Sequence, residues 1–70
     1  MNVIFNGSNV RLLEYPDNVQ VGDLVITFKN GAKYRYKNVP LEKVNEMQKA
    51  ASAGSYLLKN ISNTYKYERI

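Results

Sequence analysis

Leu24-Val25-Ile26-Thr27-Phe28-Lys29-Asn30-Gly31-Ala32-Lys33-Tyr34-Arg35-Tyr36-Lys37 is the stretch on which the fold turns. Both of its ends are rich in β-branched or aromatic residues, and Asn30-Gly31 between them signals a hairpin. Loop length sets the register, and a slip of one residue would send every side chain to the other face. With a two-residue Asn30-Gly31 loop, Ile26 opposes Arg35 and Val25 opposes Tyr36, which mixes apolar and basic side chains on both faces. With a three-residue Lys29-Asn30-Gly31 loop and a left-handed Gly31, Ile26 opposes Tyr34 and Leu24 opposes Tyr36. Leu24, Ile26, Phe28, Tyr34 and Tyr36 then line one side, while Val25, Thr27, Lys33 and Arg35 share the other. That separation favours the three-residue loop.

Upstream of the hairpin, Val10 to Tyr15 reads as a strand stopped by Pro16-Asp17-Asn18, and Gly22-Asp23 is a second punctuation. Downstream of Asn38-Val39-Pro40 the period changes. Leu41, Val44, Met47 and Ala51 recur three or four apart, as on one stripe of a helix. Pro40 suits its first turn, and Glu42 sits where the helix dipole favours a carboxylate. In Ser52-Ala53-Gly54-Ser55 the glycine is a natural stop and either serine a natural cap for a second short helix running to about Ile61. Leu57, Leu58 and Ile61 are expected to pack from it onto the apolar sheet face. The tail from Tyr65 to Ile70 alternates again and offers a C-terminal edge strand. The expected fold is α+β: a small antiparallel sheet of about three strands, with that edge strand in addition, packed against two short helices.

Seventy residues, 44% of them hydrophobic, make one domain spanning 1–70, because so short a chain buries only about 60% of its unfolded surface. With no cysteine and no histidine, neither a disulfide nor a zinc cluster can reinforce the core. Its stability should therefore be about 3 to 5 kcal/mol. Monomer and homodimer both remain open. The first residues lack the basic start and long apolar run of a secretion signal, and no stretch approaches the roughly 20 residues of a membrane span. Cytoplasmic residence is the expectation, with no membrane partner.

Catalysis is not expected, since the usual proton shuttle and nucleophile pairings need histidine or cysteine. No residue is assigned a catalytic role, and neither a cofactor nor a metal site is expected: six scattered carboxylates offer only weak oxygen ligation, and no glycine-rich phosphate loop is present. The charge of +4 is uneven. Residues 1–28 set Arg11 against Glu14, Asp17 and Asp23, a balance of −2, whereas residues 29–70 carry nine Lys and Arg against Glu42, Glu46 and Glu68, a balance of +6. In this basic half, cations interleave with tyrosines at 33–37 and 65–69, a pairing that suits single-stranded nucleic acid: cations meet phosphates and rings stack on bases. The candidate binding residues are Lys33, Arg35, Lys37, Tyr65, Lys66, Tyr67 and Arg69. Alternation sends the rings and cations of residues 33–37 to opposite faces, so Tyr34 and Tyr36 also read as core, and the tail tyrosines serve equally as edge strand or stacking platform.

Phe28-Lys29-Asn30-Gly31, Tyr34-x-Tyr36, Val39-Pro40, Ala51-Ser52-x-Gly54-x-Tyr56, Ile61 and Tyr65-x-Tyr67, in this order from Ser8 to Arg69, resemble the KTSC domain. This short module is named for its place at the C-terminus of some lysyl-tRNA synthetases and is also found alone, in bacteria and their phages. The resemblance implies a role in RNA binding, proposed for the family from its synthetase association. Two functions are carried forward: a non-catalytic accessory module for RNA or single-stranded nucleic acid, and a protein-interaction module, such as a small bacterial or phage adaptor or inhibitor.

Overall fold

In the computed structural model, which describes residues 1–70, the chain runs β1 (Asn2–Ile4), β2 (Val10–Glu14), β3 (Val21–Phe28), β4 (Lys33–Pro40), α1 (Leu41–Lys49), α2 (Ala53–Tyr56) and β5 (Tyr67–Arg69). The residues between α2 and β5 begin with a π turn, Leu57–Ile61. All five strands form one antiparallel sheet in the order β1-β2-β3-β4-β5. The fold is α+β with two short helices, as expected, but the sheet has five strands rather than about three. The expected C-terminal edge strand is present as β5; β1 escaped notice because three residues are too few to display a period.

The central hairpin closes over three residues, and its register pairs Leu24 with Tyr36 and Ile26 with Tyr34. Gly31 has φ +91°, the left-handed region that a Cβ disfavours, and its N–H donates to Phe28 O at 2.9 Å. Asn30 Oδ1 accepts from Ala32 N at 3.0 Å and fixes the turn from the side. Gly22 lies inside β3 rather than before it. Its missing side chain leaves room for Pro16, whose Cγ would stand 2.7 Å from a Cβ there. Next to it β4 carries an extra residue: Asn38 turns to φ +55° and donates its N–H to Asp23 Oδ1 at 3.3 Å.

One sheet face is covered by the helices and holds the core, to which Leu13, Leu24, Ile26 and Tyr36 contribute from the strands. Val44 and Met47 contribute from α1, and Ala53, Leu57 and Ile61 from α2 and the π turn. Tyr15, just past β2, is buried and donates its hydroxyl proton to Val39 O at 2.6 Å. Helix α1 starts at Leu41 after Pro40, with Glu42 in its first turn, and ends at Lys49. Ala51 is therefore outside the helix and exposed, not on its apolar stripe. Ser52 caps α2 by accepting from Ser55 N at 3.3 Å, while Gly54 sits within that helix instead of ending the first. Leu58 is 66% exposed, in contrast to the expected packing, because as the next residue of the π turn it faces a different side from buried Leu57.

Candidate nucleic-acid interface

Strand pairing places side chains opposite one another on the same face, so the register of β4 with β5 sorts the candidate residues. Arg35 pairs with Glu68 on the open face, away from the helices. Glu68 Oε2 lies 2.9 Å from Arg35 Nη1 and 3.8 Å from Lys37 Nζ, so one carboxylate engages two of the three stripe cations. Lys33 has no carboxylate within 4 Å. Tyr67 pairs with Tyr36 and Arg69 with Tyr34, which carries both to the helix-side face. Lys66 is exposed just before β5, and its carbonyl accepts from Lys37 N at 2.8 Å. Tyr65 precedes the strand and packs, half-buried, against the core. The seven residues thus divide between two faces of one sheet edge instead of forming a single patch.

On the helix side the rings converge. Tyr34 and Tyr36 stack loosely, with centroids 6.5 Å apart and planes at 29°. Tyr67 leans on both, at 5.7 and 5.2 Å, and Phe28 meets Tyr34 edge-on at 5.7 Å and 84°. Across from these rings stand Leu57, Leu58 and Gly54, and the space between is an open groove of about 320 Å³. Asn9, Asn30 and Ser62 add its polar lining, and no charged residue lines it. A Cβ on Gly54 would collide with the Asn9 carboxamide oxygen, so glycine keeps this wall low. Burial, opposed in part by the hydrogen bond from Ser62 Oγ at 3.4 Å, pushes the Tyr36 hydroxyl above its ordinary pKa and keeps it protonated.

Three cations adjoin groove-lining residues in the chain or in the sheet. Lys29 follows Phe28, Lys59 follows Leu58, and Arg69 is the register partner of Tyr34; all three are exposed and none has a carboxylate within 4 Å. Lys29, Lys59, Asn9 and Leu58 were not among the sequence candidates. Lys29 was in reach of that reading, since the hairpin loop places it directly beside Phe28. Leu58 and Asn9 come to line the groove only through tertiary packing.

The KTSC domain family model matches residues 6–65. The chain belongs to the KTSC domain family. Phe28, Asn30, Tyr34, Tyr36, Gly54 and Tyr67, six of the residues on which the resemblance rested, line the groove of this KTSC domain. The chain is also similar to the lysine–tRNA ligases of Nostoc sp. and Trichormus variabilis, at 34% identity over 64 residues in each case. The match covers 91% of this chain and 11% of each ligase, so the chain spans about a tenth of the length of these curated relatives. No helix is long and apolar enough to cross a membrane.

Away from the groove, the Tyr56 hydroxyl donates to Glu46 of α1. Burial first, then this bond and the nearby negative charge, push Tyr56 up to about 12. A raised folded-state pKa means that the folded protein keeps a proton which the unfolded chain releases from about pH 10. The stabilisation is complete below pH 10 and is lost as pH rises from there to about 12. Urea midpoints measured at pH 8, 10 and 11 should fall over the upper interval, and Tyr56→Phe should flatten the fall. It should not remove the fall, because burial also raises Tyr15 and Tyr36. An unchanged slope in Tyr56→Phe would exclude Tyr56 as a source.

Proposed function

We propose that this KTSC domain is a non-catalytic module that binds single-stranded nucleic acid, RNA foremost, across the edge formed by β4 and β5. One observation carries the reading: an uncharged aromatic groove shares the β4–β5 edge with Arg69, a cation that no carboxylate neutralises. Single-strand binders combine these two elements, rings for bases and cations for the backbone. The matched relatives are lysine–tRNA ligases by name, so RNA is the nucleic acid to test first. Arg69, Lys29 and Lys59 serve the groove side and Lys33 the open face, with Lys66 at the rim between them. Arg35 and Lys37 contribute less than their charge promises while Glu68 holds them.

Titrating labelled single-stranded RNA, single-stranded DNA and transfer RNA, with anisotropy as the readout, tests this. Affinity of roughly 10⁻⁴ to 10⁻⁶ M at physiological salt is expected, with a log–log salt slope of about −0.7 per neutralised phosphate. Lys33→Glu with Arg35→Glu should weaken binding and flatten the salt slope in a folded protein, chiefly through Lys33. Glu68→Gln should tighten binding by up to about fivefold, since an exposed ion pair is worth at most about 1 kcal/mol, and should steepen the slope. Unchanged binding in both variants would remove the open-face stripe from the interface.

A protein partner is the second reading, and the open face favours it. Ile4, 75% exposed, and Leu12 flank a shallow depression that also contains Thr27, whose buried hydroxyl has no hydrogen-bond partner. This reading predicts a stoichiometric complex that survives nuclease and moderate salt, conditions that dissolve a nucleic-acid complex.

A further inference from the structure

We propose that the groove beside β5 receives a single unpaired nucleobase of a single-stranded RNA, one base per domain. The inference rests on the nucleic-acid reading above and adds to it the part of the ligand that the groove takes.

Size sets the first limit. About 320 Å³ is at the small end of ligand sites and has room for a flat heterocycle. Lining chemistry sets the second. Phe28, Tyr34, Tyr36 and Tyr67 offer ring surface, Leu57 and Leu58 an apolar wall, and Asn9, Asn30 and Ser62 polar groups. A base is the portion of a nucleotide that matches this composition, having an uncharged π face and a hydrogen-bonding edge.

Free hydrogen-bonding capacity points the same way. Asn30 spends its Oδ1 on Ala32 N and keeps its amide protons, and the Asn9 side chain makes no hydrogen bond. Ser62 donates to Tyr36, leaving the tyrosine's own proton for a ligand.

Charge complementarity selects the polymer. The groove carries no charge, whereas Arg69, on its face as the register partner of Tyr34, and Lys29 and Lys59, next in the chain to Phe28 and Leu58, have no carboxylate within 4 Å. That arrangement fits a ligand with a neutral centre and anionic flanks, as a base has between its two phosphates. An aromatic side chain of a protein would fill the rings but leave those cations without partners. Tyr67 is the accessible ring, 52% exposed on the edge strand, so one of its faces is available for stacking.

Nuclear magnetic resonance and calorimetric titrations with a short oligouridylate and an abasic ribose-phosphate oligomer of the same length test the proposal. Two variants accompany them. Tyr67→Leu keeps apolar cover and strand pairing without the ring, and Leu58→Ala shortens an exposed wall residue in a helical turn that tolerates alanine. The expected result is that the base-bearing oligomer binds at least fivefold more tightly than the abasic one. Tyr67→Leu should lose about 5- to 150-fold on the former, the range for removing one base–aromatic stack, and nothing on the latter. Leu58→Ala should change the same groove resonances and weaken only the base-bearing oligomer. Equal binding of the two oligomers, or unchanged binding in a folded Tyr67→Leu, would overturn base capture while leaving the nucleic-acid function standing. No binding of either would overturn both. An aromatic peptide that shifts the groove resonances when neither oligomer does would reassign the groove to a protein.

Discussion

Ile26→Ala should leave the protein largely unfolded at 25 °C. Ile26 is fully buried in β3, between Leu13 of β2 and Tyr34 of β4, on the face that the helices cover. Truncating a core isoleucine to alanine removes its transfer free energy and leaves a cavity, at a cost of about 2 to 5 kcal/mol. A 70-residue core without disulfide or metal supplies only about 3 to 5 kcal/mol in total. Loss and reserve are therefore comparable. Amide chemical-shift dispersion and near-ultraviolet circular dichroism should collapse in Ile26→Ala, whereas Ile26→Val, costing about 0.5 to 1.5 kcal/mol, should stay folded. A cooperative melt of the alanine variant at the wild-type temperature would show that this core has far more reserve than its size implies.

Tyr15→Phe is expected to be the most damaging removal of a single polar atom. The hydroxyl donates to Val39 O at 2.6 Å inside the core and joins the end of β2 to the last part of β4, two strands away in the sheet. Phenylalanine keeps the ring and loses that donor, so a buried carbonyl is left short of a partner at a cost of about 1 to 3 kcal/mol. With a urea dependence of about 1 kcal/mol per molar for so small a domain, the midpoint should fall by about 1 M or more. A midpoint within 0.2 M or so of wild type would mean that water takes over the carbonyl at no cost.

How much of this molecule could be read beforehand follows from where its physics is local. The hairpin register was legible because Asn30-Gly31 marked the turn and only the three-residue loop sorted Ile26 and Tyr34 from Lys33 and Arg35. The helices were legible because Val44, Met47, Leu57 and Ile61 keep a helical period. β1 was not, since Asn2–Ile4 is too short to show alternation and is held by its pairing with β2. The site was half legible. Rings interleaved with cations in Tyr65 to Arg69 were apparent, but their sorting required the partner strand. Glu68 reads as one acid among bases until the register sets it against Arg35, and Tyr67 reads as a loose ring until it lands on Tyr36. Leu58 reaches the groove through the π turn, in which Ser62 N bonds to Leu57 O five residues back, and no short motif announces that geometry.

β5 has three residues, all exposed, and it is the one strand whose partner is distant in sequence, with Arg35 meeting Glu68 across 33 positions. Beyond Tyr65, which packs against the core, β5 is held by its pairing with β4 and by the ring contacts of Tyr67, with little buried apolar surface of its own. Such a strand belongs to the low-stability end of a structure, where segments detach while the rest stays folded. The rim of the groove is therefore the part expected to open first, Tyr67 and Arg69 leaving with β5 while Tyr34, Tyr36 and Phe28 stay on the hairpin. Whatever the groove holds stabilises the closed state by mass action, so occupancy and the attachment of the last three-residue strand rise and fall together.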